Sequence, residues 1–88
     1  MSETQPGAAT SPMMAVVDVV VRALVDRPEA VRVSETDRSG TAVLQITTAP
    51  GDMGKIIGRQ GRTAAALRTL VSVTAEKHGR RAQLDIRD

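Results

Sequence analysis

The residues whose types and spacing suit chemistry lie in one stretch, Gly54-Lys55-Ile56-Ile57-Gly58-Arg59-Gln60-Gly61-Arg62. Two glycines three apart bracket a cation and an amide, with an apolar pair before them and a helical pattern after. Gly58 and Gly61 free the backbone to take positive φ or to approach another group closely. Lys55, Arg59, Arg62 and Arg68 follow one another with no acid between them. Guanidinium groups and main-chain amides on a tight loop suit phosphate oxygens, which accept charge-assisted hydrogen bonds. The chemistry expected here is recognition of the sugar-phosphate backbone of single-stranded nucleic acid.

Nothing in the sequence sets up a reaction. The absence of cysteine excludes disulfides, thiol chemistry and any Cys-based zinc site, and the lone His78 makes no ligand set. The carboxylates are scattered, with no pair or metal cluster placed for catalysis. No Gly-x-x-x-x-Gly-Lys-Ser/Thr run and no Gly-x-Gly occurs, which removes the two common nucleotide-cradling patterns. The expectation is a binding protein without enzymatic activity, cofactor or metal. Phe, Tyr and Trp are all missing, so a nucleic-acid reader that stacks bases on aromatic rings is also disfavoured.

Charge is unevenly spread. Residues 1–50 hold four Arg against six acids, whereas residues 51–88 hold eight basic residues against four acids. The positive half is the half that carries the glycine loop, as a phosphate-binding footprint requires. Eighty-eight residues allow one domain with a thin core of Val, Leu, Ile, Ala and Met. No apolar run approaches the ~20 residues of a membrane span, and the N-terminus lacks the basic start and apolar stretch of a secretory signal. A cytoplasmic location is expected.

The elements that must hold the loop can be read in order. Residues 1–11 are polar and irregular, and are expected to form a disordered tail, with the domain over 12–88. Ser11-Pro12 reads as a cap followed by proline at the first helical position. Met13, Val16, Val17, Val20 and Leu24 then fall at helical spacing, with Asp18, Arg22 and Asp26 opposite, and Pro28 is expected to end this helix. Ala30 to Glu35 and Thr41 to Thr48 alternate as strands, joined by turn chemistry at Asp37-Arg38-Ser39-Gly40. Pro50-Gly51-Asp52 breaks the second strand, and Asp52 is placed to cap a short helix through Met53 to Ile57. A longer helix is expected from Arg62 to about His78, its stripe formed by Leu67, Leu70, Val71 and Thr74 with the small Ala64. Gly79 stands where such a helix stops. Ala82, Leu84 and Ile86 alternate with Gln83, Asp85 and Arg87 in a last strand.

The order α-β-β-α-α-β implies an α+β domain. The last strand returns through two helices, so it should lie parallel to the second with a right-handed crossover. A three-stranded mixed sheet with three helices on one face follows, and Arg32, Gln83, Asp85 and Arg87 are expected on the open face.

A helix, then Ile56-Ile57-Gly58-Arg59-Gln60-Gly61, then a second helix resembles the K-homology (KH) domain, whose signature is a GXXG loop between two helices. The strand order is that of the type II, prokaryotic-style version. The run from Pro50 to Arg62 and the Leu67-Arg68-Thr69-Leu70 segment are similar to the KhpA family of small bacterial single-KH proteins, and the resemblance covers nearly all of residues 13–88. It implies an RNA-binding role, with the loop clamping about four unpaired nucleotides. Carried onto this sequence, it implies a site of Lys55, Ile56, Ile57, Gly58, Arg59, Gln60, Gly61, Arg62 and Thr63. Of Ile56 and Ile57, one belongs to the core and one to the groove floor. A second wall would come from a strand and a nearby loop, where Arg80 and Arg81 are candidates. Ala64 stands where many KH domains carry a bulky aliphatic, so base preference does not transfer. The resemblance also implies an RNA chaperone or regulator that acts in a complex, self-associating and pairing with a larger KH-containing partner of the KhpB (Jag) kind.

Two other classes compete with this reading. A duplex-DNA helix-turn-helix over residues 53–78 needs base-reading polar side chains on its second helix, yet Thr63, Ala65, Ala66, Thr69 and Ser72 are small. A protein-interaction module is compatible with RNA binding, since a four-nucleotide clamp is weak alone and linking sites multiplies avidity.

Overall fold

A computed structural model of the chain describes residues 11–86. The expected tail through residue 10 and the expected outward Arg87 lie outside them.

Helix α1 spans Pro12–Leu24. Ser11 is its cap: the Oγ accepts the Met14 amide at 3.1 Å and donates to the Glu35 carboxylate on the first strand. The buried stripe is Met13, Val17 and Val21, flanked by the partly buried Met14 and Val20. This corrects the sequence reading, which had Leu24 inward and did not include Val21. Successive i, i+4 steps from Met13 reach Val21, whereas Leu24 sits in the last turn and faces solvent. The helix also stops sooner than expected. Val25 turns extended and buries its own side chain. Pro28 then starts a 3₁₀ turn, Pro28–Ala30, instead of ending α1; its fixed φ suits a first helical position.

Strands β1 (Arg32–Arg38) and β2 (Thr41–Thr47) form an antiparallel hairpin. The first strand begins and ends later than its alternation suggested, because Asp37 and Arg38 pair with Ala42 and Thr41. Only Ser39 and Gly40 turn the chain, with φ of 51° and 88°. Two consecutive left-handed residues make the tight hairpin that matches strand twist, and Asp37 Oδ1 accepts the Gly40 amide at 2.9 Å.

Helix α2 (Met53–Ile57) and helix α3 (Arg62–Lys77) follow, and β3 (Arg81–Ile86) closes the sheet. The strand order is β1-β2-β3, with β3 parallel to β2. Ala42, Leu44, Ile46 and Leu84 meet Met13, Val17, Val21, Met53, Ile56, Leu67, Val71 and Ala75 in one core between sheet and helices. In α3 the buried positions are Ala64, Leu67, Val71 and Ala75, and Leu70 is 43% exposed. The expected stripe is thus rotated: Ala75 replaces Leu70, because three small or β-branched residues let α3 lie close to the sheet. The α+β, three-stranded mixed-sheet expectation matches the fold. On the face without helices, Arg32, Gln83 and Asp85 point away from the core as expected, but Val43 between Thr36 and Gln83 is also buried.

Candidate nucleic-acid interface

The loop is built by two helices that end and begin without side-chain caps. Ile56 and Ile57 close α2 in opposite directions: Ile56 is wholly buried and Ile57 is 40% exposed. Ile56 is therefore the isoleucine that anchors the core, and Ile57 is the one left at the surface. Gly58 follows at φ 76°, ψ 171°, its amide bound to the Gly54 carbonyl at 2.9 Å. That backbone region is open essentially to glycine alone. Arg59–Gly61 make one 3₁₀ turn, with the Gly61 amide on the Gly58 carbonyl at 3.1 Å. Gln60 (φ 57°, ψ 24°) and Gly61 (φ 73°, ψ 13°) are both left-handed.

The two glycines have different causes. A Cβ on Gly58 would stand 2.6 Å from Thr63 Cβ and 3.0 Å from its amide nitrogen, closer than atoms pack. A Cβ on Gly61 would meet nothing within 4 Å. Gly58 is therefore required by the fold, whereas the space beside Gly61 is open to a ligand.

Gly61 is the N-cap of α3 and has no side chain to take the first-turn amides. Among the described residues, no main-chain acceptor takes the Arg59 or Gln60 amides either. Unclaimed N–H groups at the positive end of a 16-residue helix are an arrangement that suits an anion. Arg59, Arg62 and Arg68 are exposed, and among the described residues none is in an ion pair.

Not every residue expected at the site lies on this surface. Ile57, Gly58, Arg59, Gln60, Gly61, Arg62 and Thr63 come together around the loop. Ile56 faces the core. Lys55 turns back, its Nζ 3.2 Å from Asp26 and 3.8 Å from Asp52. The uninterrupted run of cations is thus interrupted in space by two acids that the linear sequence keeps apart from it. The i, i+4 spacing placed Asp26 on the polar face of α1, but the helix ends at Leu24 and Asp26 beyond it meets Lys55 instead. Asp52 is buried and does not cap α2 as expected. Its backbone is helical (φ −89°, ψ −18°) rather than extended, and its Oδ2 accepts the Arg27 amide at 3.1 Å. It ties the turn after α1 to the start of α2. Arg80 lies at the opposite end of α3, about 24 Å away at 1.5 Å per residue, with Nη2 3.7 Å from Asp37 Oδ2. His78 sits at the C-terminal end of α3, with Nδ1 2.9 Å from the Thr74 carbonyl.

No group of three or more His, Cys, Asp or Glu residues able to hold a metal occurs among the described residues, and no helix there is long and apolar enough to cross a membrane.

The family model described as "KhpA/KhpB, KH domain" matches residues 14–86. Curated relatives include an RNA-binding protein KhpA of Halalkalibacterium halodurans, 49% identical over 76 residues that cover 86% of this chain and 100% of the relative. Another from Caldanaerobacter subterraneus is 44% identical, covering 80% of this chain and 93% of the relative. A third from Aquifex aeolicus is 39% identical, covering 81% and 90%. No solved structure matches the chain. These relatives are named as binding proteins, in agreement with the expectation of a chain that is not an enzyme. With its α-β-β-α-α-β order and a GXXG loop between α2 and α3, the chain belongs to the KH-domain family shared by KhpA and KhpB.

Proposed function

We propose that this chain binds single-stranded RNA through the Gly58–Gly61 loop, with little selectivity for sequence. The single observation that carries the reading is the α3 N-terminus: uncapped, opened by a glycine with free space beside it, and flanked by exposed Arg59 and Arg62. Phosphates approach the first-turn amides, the two guanidinium groups supply charge-assisted contacts, and the Gln60 amide donates. Ile57 offers an aliphatic floor for bases, the mode suited to a chain without aromatics. Such a clamp holds about four nucleotides, so the protein works as an RNA chaperone or post-transcriptional regulator in the cytoplasm, within a complex that adds further contacts. The names of the relatives support RNA as the ligand.

The test replaces Arg59 and Gln60 together with Asp. RNA binding should be lost while circular dichroism and the melting curve stay nearly unchanged, since both side chains are exposed. A double variant that binds RNA as well as the parent overturns the clamp. A preference for duplex DNA would favour the helix-turn-helix reading, against which the outward face of α3 offers mostly Ala65, Ala66, Thr69, Leu70 and Val73.

A second reading, compatible with the first, is protein association. Leu70 and Val73 are 43% and 57% exposed on one side of α3, an apolar stripe that suits self-association or docking on a larger KH-containing partner of the KhpB (Jag) kind.

A further inference from the structure

The helix-free face of the sheet holds a row that no feature of the loop requires. In register across the three strands, Arg38 of β1, Thr41 of β2 and Arg81 of β3 stand side by side. All three belong to the set of positions pointing away from the helices, alternate to Asp37, Ala42 and Ala82. At about 4.8 Å between neighbouring strands, the two arginines are roughly 10 Å apart. Both are exposed, and among the described residues neither is in an ion pair. Arg32, the third arginine of this face, differs: its Nη1 is held by the Glu29 and Val31 carbonyls. In the next row Thr36 and Gln83 flank the buried Val43, and Asp85, the only acid of the face among the described residues, accepts from Gln83 at 3.3 Å.

Among the described residues, cations outnumber acids at the end of the molecule that carries this row. Lys77, Arg80, Arg38 and Arg81 gather there against Asp37 and Glu76. A groove of about 360 Å³, lined in part by Thr41, Ser72, Arg80, Arg81 and Gln83, joins the flank of α3 to the start of β3. Two of the row's residues, Thr41 and Arg81, line it, together with Glu76.

We infer that the Arg38–Thr41–Arg81 row is a second contact for the phosphate backbone, taken up by the same RNA strand after it leaves the loop. The inference rests on the proposed RNA-binding function and extends it. Two unpaired guanidinium groups flanking a hydroxyl complement a polyanion. The row lies at the other end of α3 from the clamp, about 24 Å away along the helix. A strand of four nucleotides held by the loop does not reach that far, whereas one of ten or more does. The site is therefore longer than the clamp, and its second part reads no base.

The experiment measures binding of oligouridylates of six and twenty nucleotides to the full chain, to R38S/R81S, and to the loop variant R59D/Q60D. For R38S/R81S, affinity for the twenty-mer should fall about tenfold and the slope of log affinity against log salt should shrink by about 1.4, two single-strand phosphate contacts. Its affinity for the six-mer should be unchanged, which also reports that the variant is folded. Equal twenty-mer affinity and slope in parent and R38S/R81S overturn the second contact, as does an equal loss at both lengths. The loop variant reports separately. If it weakens neither length while R38S/R81S weakens the twenty-mer, the clamp fails and the arginine row stands. If it weakens both while R38S/R81S weakens neither, the clamp stands and the row does not.

Discussion

Gly58 and Thr63 lie so close that a Cβ on the glycine would come 2.6 Å from the threonine Cβ. The contact joins the end of α2 to the first turn of α3, so it sets the angle at which the loop is presented. Gly58→Ala combines this clash with a backbone region foreign to alanine and should cost about 3 kcal/mol of stability. Adding Thr63→Ala should return only a small part of the loss, because it removes the contact with Oγ1 but keeps the threonine's Cβ, its amide and the φ. Gly61→Ala, with open space around it, should cost only ~1 kcal/mol from its left-handed backbone. Urea denaturation of the three variants and the parent measures all of this. Equal costs at the two glycines would refute the distinction.

Gln60 holds a left-handed conformation without being glycine. Gln60→Gly should therefore raise stability by up to about 1 kcal/mol, and Gln60→Val, branched at Cβ, should lower it by about 1–2 kcal/mol. Thermal melts compare the three. In RNA titrations Gln60→Gly should bind less tightly than the parent despite the more stable fold, since the side-chain amide is gone.

Asp52 is buried with its carboxylate on the Arg27 amide and near Lys55. Asp52→Ala leaves that amide without its partner and should destabilise by about 1–3 kcal/mol. Asp52→Asn, which keeps an acceptor oxygen, should cost less. Chemical denaturation separates the two, and an alanine variant as stable as the parent would show that the tie between α1 and α2 carries no weight.

Lys55 and Arg59 are four residues apart but face different neighbours. Lys55→Gln should change RNA affinity less than Arg59→Gln, because Asp26 and Asp52 already occupy the lysine. The salt dependence should shift in the same sense, with the slope falling by about 0.7 for the arginine and little for the lysine. Filter binding across a salt series decides. A larger slope change at Lys55 would mean that the ion pairs open when RNA binds.

The exposed Leu70 and Val73 give a handle on the surface of α3. Leu70→Glu should abolish any self-association seen by analytical ultracentrifugation while leaving the melting temperature within a few degrees of the parent, since the side chain is largely outside the core.

The sequence showed most of the architecture because its signals were local. The alternation of Ala42, Leu44 and Ile46, the Ser11-Pro12 start and the paired glycines each state a backbone geometry within a few residues. The helix faces were harder. Leu24 and Leu70 are as apolar as the residues that are buried, and only the position of the sheet decides which side of each helix turns inward. The loop's position and exposure were legible for Gly58, Arg59, Gln60 and Arg62. The fate of Lys55 was not, because Asp26 meets it only in three dimensions. Nor was the distance to Arg80, since one contiguous basic half hides a helix that sets its two ends apart. Asp52 misled for a related reason: a residue with the right side chain in the right place for a cap made a longer-range bond instead.

The parallel pairing of β2 with β3 has a consequence for synthesis. The β1–β2 hairpin and the α2–loop–α3 segment form from neighbouring residues, but β3 reaches its place beside β2 only after the whole of α3 has been made. Leu84 has no core to enter before then, and α3 has no edge strand to lie against. A chain still on the ribosome with α3 exposed but β3 inside the exit tunnel thus carries the complete glycine loop without the sheet edge beneath its helix. Grip on RNA should appear abruptly, when the final strand docks, rather than grow with chain length.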